Sequence, residues 1–272
     1  MKNKCLYIEC PSGISGDMTI GAFLDLGVVT IEELREVVKE LKISNIELTS
    51  KSDEKCGITG TKFDVILTEK THHHQGGHSH DEHDPKVHSH DHDHSHQVGH
   101  ANHHHANLTF INGLIDSSNL DEKVKSLSKN IFMHVAKSES KIHGKSLDEV
   151  HFHEVGAFDS IVDIVLSAYC VVKSDVEKVF VSNIHIGTGH VKCDHGILPV
   201  PAPATMDILK GLPVYSKDIK SELVTPTGAA IIKEIGDQYG STPVLRIKNI
   251  GYGLGTKDLS IANVLRVSIC DY

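Results

Sequence analysis

A histidine-rich tract in the interior of the chain, residues 71–106, limits what the rest of the sequence can fold into. The tract holds 15 of the 22 histidines and is otherwise made largely of small and polar residues. It has almost no large apolar residue, so it cannot bury enough surface to offset the conformational entropy lost on folding. We therefore predict a disordered insertion, and the hydrophobic core must come from the residues on either side.

The two flanking parts show the interleaved strand and helix patterns of an α/β protein, although a mixed α+β arrangement also fits. Residues 1–70 are predicted to form an N-terminal α/β segment, and residues 107–272 a main body that continues the same fold. Together they are long enough to bury a sizeable core. We expect a sheet that is covered by helices.

Local patterns place several elements. The stretch CLYIEC predicts a strand, and Thr30 with Glu33 predicts a capping box at the start of a helix. The alternating glycines of NIGYGLGTKD favour a tight turn between two strands, and Thr225 is expected to cap a helix. Further helices are predicted over residues 121–144, from about residue 157, over 203–211 and over 227–237.

The composition argues against several classes of protein. A formal net charge of −9 disfavours nucleic-acid binding through phosphate neutralisation. The six cysteines are scattered without a CxxC pair, which fits a reducing cytoplasm better than a disulfide framework. The sequence shows no apolar run of about 18 residues and no N-terminal signal pattern, so we expect no membrane association.

The histidine-rich tract is the first candidate metal site, because neutral imidazole binds nickel, copper, zinc and cobalt. Flexible imidazoles could hold several ions without a fixed geometry, and composition alone does not select one metal. The alternatives are an affinity tag, which would be terminal and more regular, and a pH-sensitive solvated linker. The predicted ligands are His78, His80, His83, His88, His90, His92, His94, His96, His103, His104 and His105.

The stretch HFHEVGAFDSIVDIV is the second candidate site, because it combines histidines and acids with a strongly apolar segment. His151 and His153 would point to one side of an extended strand, and Asp159 and Asp163 share one face of the predicted helix. The predicted metal ligands are His151, His153 and Asp163, and the predicted catalytic residues are His153, Glu154 and Asp159. The structural alternative is that Asp159 only favours the helix N-terminus and that Asp163 pairs with a lysine or with backbone N–H groups.

The glycine loop PSGISGD follows the first strand and precedes a helix, as loops that bind phosphate do. Its spacing matches neither the Walker nor the dinucleotide fingerprint. The alternative is a simple turn in which Asp17 is the helix N-cap. The predicted phosphate-binding residues are Ser12, Gly13, Ser15, Gly16 and Asp17.

Five motifs in this order resemble one family over nearly the whole chain: YIECPSGISGDMTIGAFLDLGV, HFHEVGAFDSIVDIV, HGILPVPAPAT, ELVTPTGAA and IGYGLGTKD. They are similar to the nickel insertion proteins of the nickel-pincer nucleotide pathway, the LarC family. The resemblance implies insertion of nickel into pyridinium-3,5-bisthiocarboxylic acid mononucleotide, a lyase-type chelatase reaction accompanied by CTP hydrolysis. The product is the cofactor of lactate racemase-type enzymes.

Longer members of that family continue past the position of Tyr272 into a C-terminal CTP-binding domain, so this sequence resembles the N-terminal part. The resemblance implies CTP and Mg or Mn as cofactors of the full-length protein. It also implies several partners: a separately encoded C-terminal part, a lactate racemase-type apoenzyme and further copies of the chain in a homo-oligomer. Two other functions stay open, a noncatalytic nickel storage and delivery protein and a metal-dependent hydrolase.

Overall fold

The structure is a computed structural model that describes residues 3–68, 107–149, 158–193 and 196–272. The predicted disordered insertion at 71–106 and its histidines lie outside the described residues. So do His151, His153 and Glu154 of the second candidate site. In the described part of the chain, no helix is long and apolar enough to cross a membrane.

Eight of the described strands form one mixed sheet, in the order β2-β3-β9-β10-β1-β4-β7, with β8 also pairing with β4. A separate hairpin consists of β5 and β6. The strands are β1 (Lys4–Cys10), β2 (Ile46–Lys55), β3 (Ile58–Leu67), β4 (Lys178–His185), β5 (His190–Cys193), β6 (Gly196–Pro199), β7 (Val214–Tyr215), β8 (Gln238–Tyr239), β9 (Arg246–Leu254) and β10 (Val264–Asp271).

Helices pack against this sheet, which confirms the predicted α/β class with mixed strand directions. The helices are α1 (Gly16–Asp25), α2 (Ile31–Glu40), α3 (Leu108–Asp116), α4 (Glu122–His143), α5 (Phe158–Lys173), α6 (Pro203–Ile208) and α7 (Pro226–Ile235). The predicted capping box of α2 and the Thr225 cap of α7 are both present. Helix α3, capped by Asn107, and the two-residue strands β7 and β8 were not predicted.

Strand β1 lies inside the sheet, antiparallel to β10 and parallel to β4. The sheet therefore combines strands from both sides of the histidine-rich tract. Alternate residues of β1 face opposite ways, as the pleat requires. Leu6 and Ile8 belong to the main core with the helices, whereas Cys5 and Tyr7 pack with Phe180 on the other face.

The alternating glycines Gly251 and Gly253 lie within β9, so the predicted tight turn is wrong. They let helix α1 approach the strand backbone to backbone. A Cβ atom on Gly253 would come within 1.8 Å of the Met18 carbonyl oxygen, and one on Gly251 within 2.4 Å of the Ala22 oxygen. The glycine pattern therefore serves helix packing, and it fixes α1 and the loop before it against the sheet.

Candidate functional site

The loop that links β1 to α1 is held in place by backbone contacts. Gly13 has a φ of 79°, and a Cβ atom there would lie 1.9 Å from the Leu223 carbonyl oxygen. The Ile14 N–H donates to the same Leu223 oxygen at 3.0 Å. Glycine is needed at position 13 for the left-handed backbone and the close approach. The loop separates two concavities of opposite chemistry.

The first concavity, which we call the acid pocket, is formed where α1 and α7 begin and where α5 passes beneath them. Gly16 lies directly on Asp163, since a Cβ atom at Gly16 would come within 2.5 Å of Asp163 Oδ2. The pocket is lined by Ser15, Gly16, Asp17, Ser160, Asp163, Thr225, Pro226 and Thr227. Three predicted phosphate-loop residues therefore share a pocket with a predicted metal ligand.

Asp163 has an unusual electrostatic environment within this pocket. Its Oδ1 atom is enclosed and has no hydrogen-bond partner among the described residues, although the residue as a whole keeps some exposure. Burial raises the pKa of the Asp163 carboxyl well above its usual range, and the nearby charges of Asp17 and Asp159 raise it further. The charged form of this carboxyl group is therefore disfavoured unless a cation stabilises it.

Lys62 on β3 is a buried cation near the acid pocket, but its ammonium group contacts acidic side chains other than Asp163. Its Nζ lies 2.9 Å from Asp17 Oδ2, 2.6 Å from Asp64 Oδ1 and 2.9 Å from the Phe63 carbonyl oxygen. Burial opposes the charge of Lys62, but attraction to Asp17 and Asp64 outweighs it, so the pKa of the ammonium is raised. No hydrogen bond or ion pair links Lys62 to Asp163 in the described structure.

Asp17 is not the helix N-cap that the alternative interpretation predicted. Ser15 occupies the N-cap position of α1, and Asp17 lies in the first turn, where it accepts a hydrogen bond from the Ser15 hydroxyl. Asp159 lies in the first turn of α5, and its Oδ1 accepts the Ser160 N–H at 2.8 Å. Asp159 and Asp163 are four residues apart on one helix, as predicted.

Metal binding by these groups stays a prediction. His151 and His153, which would complete the ligand set of Asp163, lie outside the described residues. Within the described ranges, no group of three or more His, Cys, Asp or Glu side chains is arranged to hold a metal ion. The acid pocket therefore contributes carboxyl groups, and that of Asp163 has a raised pKa. The described residues do not form a complete coordination shell.

The second concavity, which we call the aromatic cleft, lies at the carboxyl ends of the parallel strands β1 and β4. Its volume is about 410 Å³. The beginning of the glycine loop lines this cleft, whereas the end of the loop lines the acid pocket. The cleft is lined by Pro11, Ser12, Ile58, His185, Tyr215, Lys217, Ile219, Tyr252, Ile261, Ala262, Val264 and Arg266.

A stacked pair of rings, His185 and Tyr215, forms one wall of the cleft. The ring centroids are 4.8 Å apart and the planes differ by 7°. His185 Nε2 accepts the Lys217 backbone N–H at 3.0 Å, so Nδ1 carries the proton and donates to the Pro11 carbonyl oxygen at 2.9 Å. This tautomer, assigned from its partners, is neutral imidazole. Both ring nitrogens are occupied, which fixes the imidazole and the tyrosine stacked on it.

The cleft also carries cationic side chains. Lys217 Nζ lies 5.9 Å from the centroid of the Tyr215 ring and has no ion-pair partner in the part of the chain that the structure describes. Arg266 is held by two hydrogen bonds to Glu9, one of them from Nε to Oε2 at 2.5 Å. The charge of Arg266 is therefore compensated, whereas that of Lys217 is not.

Sequence reasoning missed the residues that give both concavities their electrostatics. Lys62 is an ordinary lysine in the sequence, and only the tertiary structure brings it beside Asp17. Lys217 follows Tyr215 by two residues, and only the tertiary structure shows that both line a cleft. His185 had the one usable signal, since it ends strand β4 after the apolar residues Val179, Phe180 and Val181. Polar residues at carboxyl ends of parallel strands often face ligand sites.

The described residues form a mixed α/β fold with an acid pocket and a separate aromatic cleft, and comparison with known proteins shows the family. The family described as nickel insertion protein matches residues 6–271, and this chain belongs to that family. No solved structure matches it.

Three relatives carry the name pyridinium-3,5-bisthiocarboxylic acid mononucleotide nickel insertion protein. The one from Alkaliphilus metalliredigens is 46% identical and aligns with 100% of this chain and 61% of its own length. The one from Clostridium acetobutylicum is 46% identical over 97% of this chain and 63% of its own length. The one from Geobacillus kaustophilus is 43% identical over 98% and 59%. The chain thus spans about three fifths of the length of these relatives.

Proposed function

We propose that this chain carries out nickel insertion into pyridinium-3,5-bisthiocarboxylic acid mononucleotide, as the names of its relatives state for them. The product would be the nickel-pincer nucleotide used by lactate racemase-type enzymes. In this reaction nickel is a substrate and becomes bonded to one carbon and two sulfurs of the pincer. The structural observation that carries the proposal is Asp163, an enclosed carboxyl group with no described partner.

The chemistry needs a group that takes up a proton, because the pyridinium C–H bond must be lost as the nickel–carbon bond forms. A general base works best when its pKa lies near the operating pH, and burial is the usual means of raising a carboxyl pKa toward that range. Burial raises the pKa of the Asp163 carboxyl in this direction, and its carboxylate form is our candidate for taking up the proton. The same carboxylate, once deprotonated, would suit a divalent cation.

We further propose that the segment preceding α5 completes this centre. His151 and His153, with Asp163, would hand nickel over, and His153, Glu154 and Asp159 would share the proton transfers. Supporting this, Asp159 is close enough to raise the Asp163 pKa, and Phe158, where α5 begins, follows Glu154 by four residues. Histidine and carboxylate ligands together suit nickel.

The histidine-rich tract would be a nickel reservoir and not the catalytic centre. Deleting residues 71–106 should leave the melting temperature nearly unchanged, because the tract has too few apolar residues to contribute to the core. It should reduce the number of Ni²⁺ ions bound per chain and raise the nickel concentration needed for half-maximal insertion. Complete loss of insertion at saturating nickel, in a variant that melts like the wild type, would contradict the reservoir role.

We propose that CTP hydrolysis, with Mg²⁺ or Mn²⁺, takes place in the part of the longer relatives that this chain does not match. We propose that the chain acts with that part, as a homo-oligomer, and delivers its product to a lactate racemase-type apoenzyme. The free thiols of Cys5, Cys10, Cys170 and Cys270, which are buried, support the proposal of a reducing, cytoplasmic setting.

The test mixes the purified chain with Ni²⁺ and the pincer mononucleotide, with and without CTP and the C-terminal part. Mass spectrometry should show the nucleotide gaining nickel and losing one proton from carbon, and this classifies the activity as a lyase-type chelatase. A storage protein would bind several ions and leave the nucleotide unmetallated under every condition. A hydrolase would turn over a phosphate ester or amide with no pincer present.

A further inference from the structure

We propose that the aromatic cleft, and not the acid pocket, binds the mononucleotide substrate, with its pyridinium ring against Tyr215 and its anionic groups at Lys217. The identity of the nucleotide rests on the proposed function. The cleft itself is argued from its shape, its charge and its fixed aromatic wall.

The shape fits a small planar ligand. The cleft of about 410 Å³ lies within the size range of small-molecule sites, roughly 300–1,000 Å³, and a mononucleotide is of that scale. Its apolar side chains include Ile58, Ile219 and Ile261, which can cover a ring that leaves water. The cleft also lies beyond the carboxyl ends of two parallel strands, where open α/β sheets commonly bind ligands.

The charge distribution favours the aromatic cleft over the acid pocket as the site for an anion. The mononucleotide carries a phosphate and two thiocarboxylates, so it needs a cation that is not already paired. Lys217 is such a cation, because its ammonium group has no described ion pair and lies over the Tyr215 ring. The Ser12 hydroxyl group lines the same cleft but already donates to the Ala262 carbonyl oxygen. The acid pocket offers the opposite environment, because acidic side chains, Asp17 and Asp163, line it and no basic side chain among the described residues does.

The aromatic wall is prepared for a positively charged ring. The faces of tyrosine attract cations, and a pyridinium ring is both cationic and planar. His185 behind Tyr215 is neutral, so it does not repel the pyridinium charge. The exposed Lys217 ammonium, which lies over the same ring, would turn from the ring to the anionic groups of the ligand. Because His185 is fixed by two hydrogen bonds, Tyr215 needs little ordering when the ligand binds.

The experiment is calorimetric titration of the whole chain with nicotinic acid mononucleotide, which shares the pyridinium ring and the ribose phosphate. Lys217→Gln removes the charge at an exposed position, and Lys220→Gln is the matched control on a nearby exposed lysine outside the cleft. We expect Lys217→Gln to weaken binding about tenfold, the scale of one charge-assisted hydrogen bond. Lys220→Gln should bind like the wild type.

Ring recognition is tested at Tyr215. Tyr215→Leu should weaken binding severalfold, and Tyr215→Phe, which keeps the ring, should restore most of it, so a folding defect is separated from loss of stacking. Cytidine monophosphate, a nucleotide with an uncharged base, should bind more weakly than the pyridinium nucleotide. Failure of the wild type to bind, equal binding by Lys217→Gln, or equal affinity for the two nucleotides would overturn the inference.

Nickel insertion assays on the same variants distinguish this inference from the proposed function. Cleft-dependent binding of the pyridinium nucleotide without any nickel insertion would support the cleft and contradict the proposed function. Normal insertion by Lys217→Gln at limiting nucleotide would support the proposed function and contradict the cleft.

Discussion

The acid pocket and the aromatic cleft are lined by opposite ends of one glycine loop, and their chemistry is opposite. Ser12 at the start of the loop lines the cleft, and Ser15, Gly16 and Asp17 at its end line the pocket. The pocket encloses a carboxyl group without a described partner, whereas the cleft presents a lysine without a described ion pair. The difference indicates two tasks, one that needs a proton or a metal cation and one that needs an anion.

The two regions also differ in how they are held. The pocket is held by close packing of the Gly16 backbone against the Asp163 side chain. The cleft depends on hydrogen bonds that fix His185 and thereby Tyr215. Small changes should therefore damage the pocket through packing, while the cleft should tolerate substitutions of its exposed residues.

The largest expected effect comes from filling the space between Gly16 and Asp163. In Gly16→Ala the new Cβ atom would meet Asp163 at 2.5–2.7 Å, so α1 or α5 must shift. We expect a loss of about 3 kcal/mol of unfolding free energy, at the upper end for overpacking a core. Urea unfolding measures it. Gly113→Ala is the control, because a Cβ atom there meets nothing within 4 Å.

This result would also change how the glycine loop is tested for phosphate binding. Substitutions at Gly13 and Gly16 alter packing against Leu223 and Asp163, so lost binding in such variants would not identify a phosphate site. If Gly16→Ala proved as stable as Gly113→Ala, the close contact that defines the pocket would be wrong.

The next effect is expected from removing the only cation described in the acid pocket network, in Lys62→Met. Asp17 would lose its 2.9 Å contact while staying close to Asp163. Because Asp17 keeps some access to solvent, we expect a cost of about 2 kcal/mol, below that of breaking a fully buried pair. A cost near zero, measured by urea unfolding at pH 7, would contradict the ion-pair role.

Most of the fold was accessible from local sequence patterns. The capping box at Thr30, the helix across Asp159 and Asp163 and the strand ending at Cys10 all follow from spacing that repeats within a few residues. Gly251 and Gly253 were misassigned, because a turn and a strand packed closely against a helix both favour glycine. Only the neighbouring helix distinguishes the two.

Only part of the candidate site could be predicted from the sequence. Asp163 stood out because a carboxylate within an apolar helix needs an explanation. Lys62, His185 and Lys217 did not stand out, because their roles depend on contacts with residues 32 to 174 positions away in the sequence. The aromatic cleft is assembled from several separate stretches of chain, and no single stretch carries its signature.

The smallest stability effect is expected at Asp163, and it has a defined sign. The folded-state pKa of Asp163 is raised, so the charged form is disfavoured in the fold. Wild-type stability should therefore fall as pH rises from the ordinary Asp pKa, about 4, through the raised value, while Asp163→Asn does not titrate. We expect the variant to gain about 1 kcal/mol relative to the wild type over that window. Ser160→Ala, at the rim of the same pocket, is a control without a titratable group.

The most direct measurement of the acid pocket's role pairs this stability difference with nickel insertion, for Asp163→Asn between pH 4 and pH 8. We predict that the variant becomes as stable as the wild type or more stable as pH rises, and that its insertion yield falls to background while the histidine-rich tract still binds nickel. A variant that is less stable at every pH and still inserts nickel normally would make Asp163 a structural residue and contradict the proposal.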